Sequence, residues 1–370
     1  MVNAKEMMMV SFLDVRLKQI WEKITAGKRL KAKDGLVIYE SQDLIGIGHL
    51  ADYVRRQKHG NTAFYVYNQH VNYTNVCTNR CLFCAFARDE NTKGAFTLSI
   101  DDVREQLLER MGEPITEIHM VGGLNPNLSI NYYVDLLNTI KKIRPDVTIK
   151  AFTAVEIDFI AKKGNLSITE TIETLKDAGL SMMPGGGAEI INERVRSSLF
   201  PGKINGSRWL EITKTAHDLG ITSNATMLYG HIETSKERVD HLITLRDLQD
   251  KTSGFSAFIP LAFHPENTKL THISSTTAVD DLKNIAAARL LLDNFDHIKA
   301  YWVMIGEKLA QVALSFGADD LDGTIIEEKI THMAGAKTAK GLLPEQMEHL
   351  ISSAGFTPVE RDSFYRPVAR

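Results

Sequence analysis

Nowhere in its 370 residues does the chain carry the roughly 20 consecutive apolar residues that a membrane-spanning helix needs. The apolar start from Met7 to Leu13 is broken at once by Asp14 and Arg16 and is followed by no small-residue cleavage site, so no secretory signal is read there. An excess of one charge is missing too. The 43 basic and 46 acidic side chains give a formal net charge of −3, without the basic surplus or stripe of a nucleic-acid binder. There is no linker rich in proline, glycine or serine and no low-complexity tract. With 44% hydrophobic and 24% charged residues, disordered, fibrous and collagen-like classes are excluded. The expectation is a soluble, cytoplasmic protein with neither nucleic acid nor membrane as partner. Cysteine is scarce as well. Its three copies, Cys77, Cys81 and Cys84, all fall within one short segment, and an odd, clustered set cannot be a disulfide framework.

What is present is a rhythm. The first 65 residues read as a helical preface, with Phe12, Val15, Ile20 and Ile24 in one amphipathic stretch and 41–57 in another. Then apolar, β-branched runs alternate with helix-period segments. Strands are predicted at 70–76, 116–121, 147–154, 180–183, 221–228, 255–263, 298–304 and 313–316. Helices fall between them, two of them opening on the capping-box pairs Ser167–Glu170 and Thr234–Glu237. Eight such repeats predict an α/β fold, a (β/α)8 TIM-type barrel over 66–320, preceded by a helical extension (1–65) and followed by a helical and loop tail (321–370) packed on it. Chemistry in such barrels sits at the carboxyl ends of the strands. Each unusual motif follows a predicted strand.

The first is Cys77-x3-Cys81-x2-Cys84, with Phe83 before the last cysteine. Three thiolates at this spacing can hold three corners of a cubane iron–sulfur cluster, which ordinarily takes four. With no fourth cysteine, one iron stays open to a substrate or cofactor, as in an open catalytic zinc site. The residues leave other readings open: a zinc site completed by a histidine such as His70, or a redox pair of Cys81 and Cys84 that leaves Cys77 unexplained. A second motif, Val121-Gly122-Gly123-Leu124-Asn125-Pro126, lets backbone approach a ligand closely. The third, Met183-Pro184-Gly185-Gly186-Gly187-Ala188-Glu189, lacks the lysine of a Walker phosphate loop. In the fourth, Ala225 to Glu233, alternation along a strand is expected to turn Thr226, Tyr229 and His231 to the cavity.

The cysteine loop resembles that of the radical S-adenosylmethionine superfamily. The resemblance implies a 4Fe–4S cluster on Cys77, Cys81 and Cys84, beside Phe83, whose open iron chelates the amino and carboxylate groups of S-adenosylmethionine. One electron then yields methionine and a 5′-deoxyadenosyl radical. It further implies that Gly122 and Gly123 meet the methionine amino group, Glu189 the ribose hydroxyls, and Thr226, Tyr229 and His231 the adenosine. Within the superfamily, the blocks 73–77, 84–86, 150–156, 258–268, 299–304 and 318–324 are similar to the group acting in the futalosine route to menaquinone and in deazaflavin synthesis. The implied reaction adds the adenosyl radical to the enol ether of 3-[(1-carboxyvinyl)oxy]benzoate. Aryl migration and loss of the carboxylate then give 6-amino-6-deoxyfutalosine and methionine, with S-adenosylmethionine consumed as co-substrate. His264, Glu156 and Arg88 are the candidate catalytic residues and charge partners, and Asn72 and Asn267 the candidate substrate contacts. A low-potential flavodoxin or ferredoxin is the expected electron donor. The nearest alternative is the sister enzyme that cyclises dehypoxanthine futalosine by hydrogen abstraction. A non-catalytic iron–sulfur electron carrier and a zinc-stabilised binding module are alternatives of another class.

Overall fold

Side-chain caps set where many of the helices begin. Ser99 with Asp102, Thr153 with Glu156, Ser167 with Glu170 and Thr234 with Glu237 each close a reciprocal capping box, satisfying two otherwise orphaned N–H groups per helix. The computed structural model describes residues 11–326 and 329–369, so Met7 to Val10 of the apolar start lie outside the described residues. Helices α1 (Arg16–Thr25), α2 (Ala32–Glu40) and α3 (Leu44–His59) lead into β1 (Thr62–Val66) and β2 (Asn68–Val71). There follow α4 (Ile100–Glu109), β3 (Glu117–Met120), α5 (Ile130–Ile143), β4 (Thr148–Ala151), α6 (Ala154–Gly164), α7 (Ile168–Asp177) and β5 (Met182–Met183). Then come α8 (Glu193–Leu199), α9 (Gly206–Asp218), β6 (Thr222–Tyr229), α10 (Ser235–Thr252), β7 (Phe255–Ala262), α11 (Ala278–Leu291) and β8 (His297–Ile298). The chain ends through α12 (Trp302–Ile305), α13 (Glu307–Ala313), β9 (Asp320–Gly323), α14 (Ile330–Met333), α15 (Pro344–Ser353) and β10 (Thr357–Arg361). Among the described residues no helix is long and apolar enough to cross a membrane.

Strands β2 to β8 form one parallel sheet in sequential order, curled as in a TIM-type barrel, with helices on its outer face. One segment meets both edges of this sheet. Asp319 N donates to Ile298 O (3.0 Å) and Ala300 N to Asp320 O (2.8 Å) on the β8 side, while His70 N donates to Ile326 O (3.0 Å) on the β2 side. Residues 320–326 therefore take the eighth place in the barrel. The sequence reading put that strand at 313–316, which instead ends α13 and makes a 3-10 turn with Leu314 and Phe316 buried. The 298–304 run is corrected likewise: the strand stops early, and Trp302 turns into α12 with its indole N–H on Gly323 O at 2.9 Å. Short apolar runs read alike as buried strand or buried helix, which explains both misreadings. A second parallel sheet, β10-β1-β9, lies beside the closure, and its β1 falls in the stretch read as helical preface.

The interior beneath the strand ends is polar. Glu117 pairs with Lys150 (2.7 Å), Asp322 with Lys299 (2.9 Å) and Asp320 with Arg361 (2.6 Å), all well buried. Ser363 Oγ donates to Glu117 at 2.7 Å, so the C-terminal residues close the bottom of the barrel.

Candidate active site

Beyond β2 the chain leaves the sheet and is pinned before the cysteines begin. Arg88 N donates to Asn75 O (2.8 Å), Cys77 N to Arg88 O (3.1 Å) and Thr78 N to Leu124 O (3.1 Å). Asn75 reaches across, accepting from Phe96 N at 2.8 Å and donating to Gly94 O at 2.8 Å. On this frame Cys77, Cys81 and Cys84 are free thiols, half-buried, lining a single cavity of about 330 Å³ at the carboxyl ends of the strands. Burial pushes the Cys81 thiol up to about 11, opposed by the nearby Lys203 ammonium. A thiol as desolvated as Cys81 gives up its proton readily to a bound metal, which is the chemistry an iron–sulfur cluster provides. The wall facing them suits a ligand that lies on backbone. A Cβ on Gly123 would sit 2.3 Å from Val76 O, and one on Gly185 2.8 Å from the backbone of Asn224 and Ala225, so neither position has room for a side chain.

Glu156 holds the glycine turn. Its carboxylate accepts from Tyr73 OH (2.6 Å), Gly122 N (3.0 Å), Thr153 N (2.7 Å) and Thr153 Oγ1 (2.7 Å), while burial pushes its pKa up. Four donors already occupy it, which makes it an anchor for Gly122. Glu189, left-handed at φ 46°, pairs with Lys203 at 2.5 Å. Burial alone would raise the Glu189 pKa, yet Lys203 and then Arg196 hold it below the ordinary value. Lys203 also lies 5.1 Å above the Phe83 ring, itself edge-on to Phe200. Thr226 Oγ1 donates to Gly185 O (2.8 Å) and ties β6 to the glycine run. His264 Nε2 is 2.9 Å from Met304 O, so that nitrogen carries the proton and Nδ1 has the lone pair in the neutral ring. Asn72 Nδ2 is engaged by Val121 O at 3.0 Å, and its buried Oδ1 has no partner. It therefore offers an acceptor to a ligand N–H or O–H.

Four sequence-predicted residues lie elsewhere. Arg88 folds onto its own loop, donating to Ala85 O (2.7 Å) and Ala87 O (2.8 Å). Tyr229 lies on the opposite face of β6 from Asn224, Thr226 and Leu228, which line the cavity, and donates to Asp281 on α11 at 2.8 Å. Its spacing of three from Thr226 is incompatible with a common strand face. His231 lies past the strand, with Nε2 3.0 Å from Leu228 O and Nδ1 2.8 Å from Glu233. Asn267 is exposed and donates to Met333 O at 3.1 Å. Sequence reasoning missed Lys203, His119, Asn224 and Asp322, all on the cavity. For His119 and Asn224 a signal existed: polar side chains inside predicted strands that a parallel sheet should fill with apolar ones.

A three-thiol loop over the mouth of a parallel α/β barrel, with glycine turns facing it, defines an enzyme of the radical S-adenosylmethionine class. Residues 71–245 match the family described as Radical SAM superfamily, and residues 252–369 that described as CofH/MqnC C-terminal region. The chain is 48% identical over 359 residues to the aminodeoxyfutalosine synthase of Thermus thermophilus, covering 96% of each. It is 38% identical over 353 residues to the cyclic dehypoxanthine futalosine synthase of Streptomyces coelicolor, covering 94% of this chain and 88% of that one. The crystal structure of methylornithine synthase superposes with a TM-score of 0.74 at 17% identity, covering 92% of this chain and 97% of that one, a likeness of fold. The chain belongs to the radical S-adenosylmethionine superfamily, whose enzymes use a 4Fe–4S cluster and S-adenosylmethionine.

Proposed function

We propose that this enzyme joins the adenosyl group of S-adenosylmethionine to 3-[(1-carboxyvinyl)oxy]benzoate, giving 6-amino-6-deoxyfutalosine and methionine for menaquinone synthesis. The observation that carries the reading is the similarity, over 96% of both chains, to an enzyme named for that product. Cys77, Cys81 and Cys84 would hold the cluster. When bound, cluster and S-adenosylmethionine supply one-electron cleavage of the sulfonium and the adenosyl carbon that adds to the alkene. The remaining work belongs to this chain. Glu156 fixes Gly122 and the backbone beside it. The unpartnered Asn72 Oδ1 suits the methionine ammonium, and Lys203 suits its carboxylate. Glu189, accepting from Lys203, keeps a second oxygen for ribose hydroxyls. Apolar Leu228, Ile259 and Leu261 exclude water and set the alkene against the reacting carbon, where proximity contributes most. The lone pair of His264 Nδ1 is an acceptor at the mouth for a ligand donor. A low-potential flavodoxin or ferredoxin delivers the electron.

The test is anaerobic reconstitution, incubation with S-adenosylmethionine, reductant and the benzoate, and mass spectrometry. The expected products are 6-amino-6-deoxyfutalosine and methionine, and Cys81→Ala should lose both cluster and product. The 38% identical relative favours a second reading. Consumption of dehypoxanthine futalosine with release of free 5′-deoxyadenosine, and no product from the benzoate, would establish it instead.

A further inference from the structure

Barrels of this type usually fill their interior with branched apolar side chains. Here an inner layer below the cysteine loop is polar. His70 on β2 and His119 on β3 are register partners, and their rings stack with centroids 4.6 Å apart and planes at 17°. Asn224 on β6 lines the same cavity. It is 2% exposed, its Nδ2 donates to Ser256 Oγ at 2.9 Å, and its Oδ1 has no partner. This layer lies one pleat, about 6.6 Å, deeper than Asn72, Val121 and Thr226. Glu117, below it, is paired with Lys150, and Asp322, which also lines the cavity, is paired with Lys299, so among the described residues the charges at this end are matched. Above it the walls are Leu228, Ile259 and Leu261. The cavity is apolar along its length and polar at its closed end.

We propose that His119 and Asn224 form a subsite for the carboxylate of an aromatic acid, whose ring lies between the apolar walls and whose reactive substituent points up to the cysteine loop. The inference rests on the synthase reading, since that substrate carries a ring carboxylate remote from its alkene. The His119 imidazole offers an N–H when neutral and two when protonated. Turning the Asn224 amide presents Nδ2–H to the ligand, with the Ser256 hydroxyl turning from Ser223 O, 3.3 Å away, to donate to Asn224 Oδ1. Burial, with His70 and Lys150 adding to it against Glu117 and Asp322, holds His119 neutral while the site is empty. An entering carboxylate favours the imidazolium and makes the interaction charge-assisted.

The test uses cluster-reconstituted protein with S-adenosylmethionine and no reductant, titrated calorimetrically with 3-methoxybenzoate and with 3-methoxybenzamide. The acid should bind about tenfold or more tighter than the amide, as expected for hydrogen bonds to a charged group. His119→Gln and Asn224→Ala should each weaken the acid by about tenfold to a hundredfold and leave the amide nearly unchanged. Iron content and binding of S-adenosylmethionine report whether each variant is intact, and if one loses its cluster the other carries the test. Equal binding of acid and amide by the wild type, a preference for the amide, or an acid preference that survives in an intact variant would overturn the subsite. The synthase reading fails separately: acid preference retained, but no adenosylated product from the enol ether.

Discussion

Lys203 shows how much a single side chain carries at this site. Its ammonium is buried, pairs with Glu189 and lies over Phe83 beside the cysteine loop. Removing one partner of such a pair strands the other, a change that commonly destabilises by about 3–5 kcal/mol. Lys203→Met should therefore lower the urea midpoint markedly, while the double variant Lys203→Met/Glu189→Leu regains much of that loss because no buried charge is left. Product formation should be lost in both. A double variant that recovers turnover along with stability would reduce the pair to a packing role. The residues of the site differ in how legible they were. The cysteine loop and the Gly122-Gly123 turn stand out because their chemistry fixes both residue type and spacing. Lys203 does not, because only the fold of the 200–205 loop brings it over Phe83. Arg88 looks like a ligand for an anion until the loop is seen to curl back and supply its own carbonyls.

At the scale of elements, His241 is the pin between α10, β6 and the glycine run. Nε2 is 2.9 Å from Thr226 O and Nδ1 accepts from Ile191 N at 3.1 Å, so only the neutral ring with its proton on Nε2 satisfies both. Burial lowers its pKa from 6.5 to about 4. Between those values the unfolded chain takes up a proton that the folded chain refuses. Stability from this residue is therefore complete above about pH 6.5 and falls as the pH drops toward 4, by about 3 kcal/mol in all. Chemical denaturation from pH 4.5 to 7 should show this acid limb, to which buried His217, lowered likewise to about 4, also contributes, and His241→Gln should make it less steep; an unchanged slope in the variant would place the titration elsewhere. Elements such as β6 and β7 were readable because each is a long, eight-residue strand that begins just after a glycine, Gly220 or Gly254, closing the preceding helical segment. The strand at β1 was not, although Thr62-Ala63-Phe64-Tyr65-Val66 has the composition of one, because a helical preface absorbed it. The eighth strand was missed because Asp320-Leu321-Asp322-Gly323 is held by ion pairs and a neighbouring sheet, and its composition signals a turn.

Across the whole molecule, the barrel depends on its C-terminal residues for closure. Asp320 bridges Lys299 at the end of β8, pairs with Phe64 of β1 and forms an ion pair with Arg361 of β10, all in one neighbourhood. Arg361 and Asp320 are 1% and 0% exposed, so Arg361→Leu leaves a carboxylate in the barrel without its counter-ion, beside the Lys299–Asp322 pair. Loss of about 3–5 kcal/mol is expected. Adding Asp320→Asn, which removes the stranded charge, should restore part of it. The location of the damage is more telling than its size. If residues 320–326 are a closure laid across the two edges of a sheet that otherwise stands, Arg361→Leu should speed hydrogen exchange at His70 N and Ala300 N, whose acceptors are Ile326 O and Asp320 O. Amides between β6 and β7 should keep their protection. Equal loss of protection at all of these amides would mean that closure and sheet unfold as one unit, and the cavity could then not loosen at its C-terminal wall without loss of the fold.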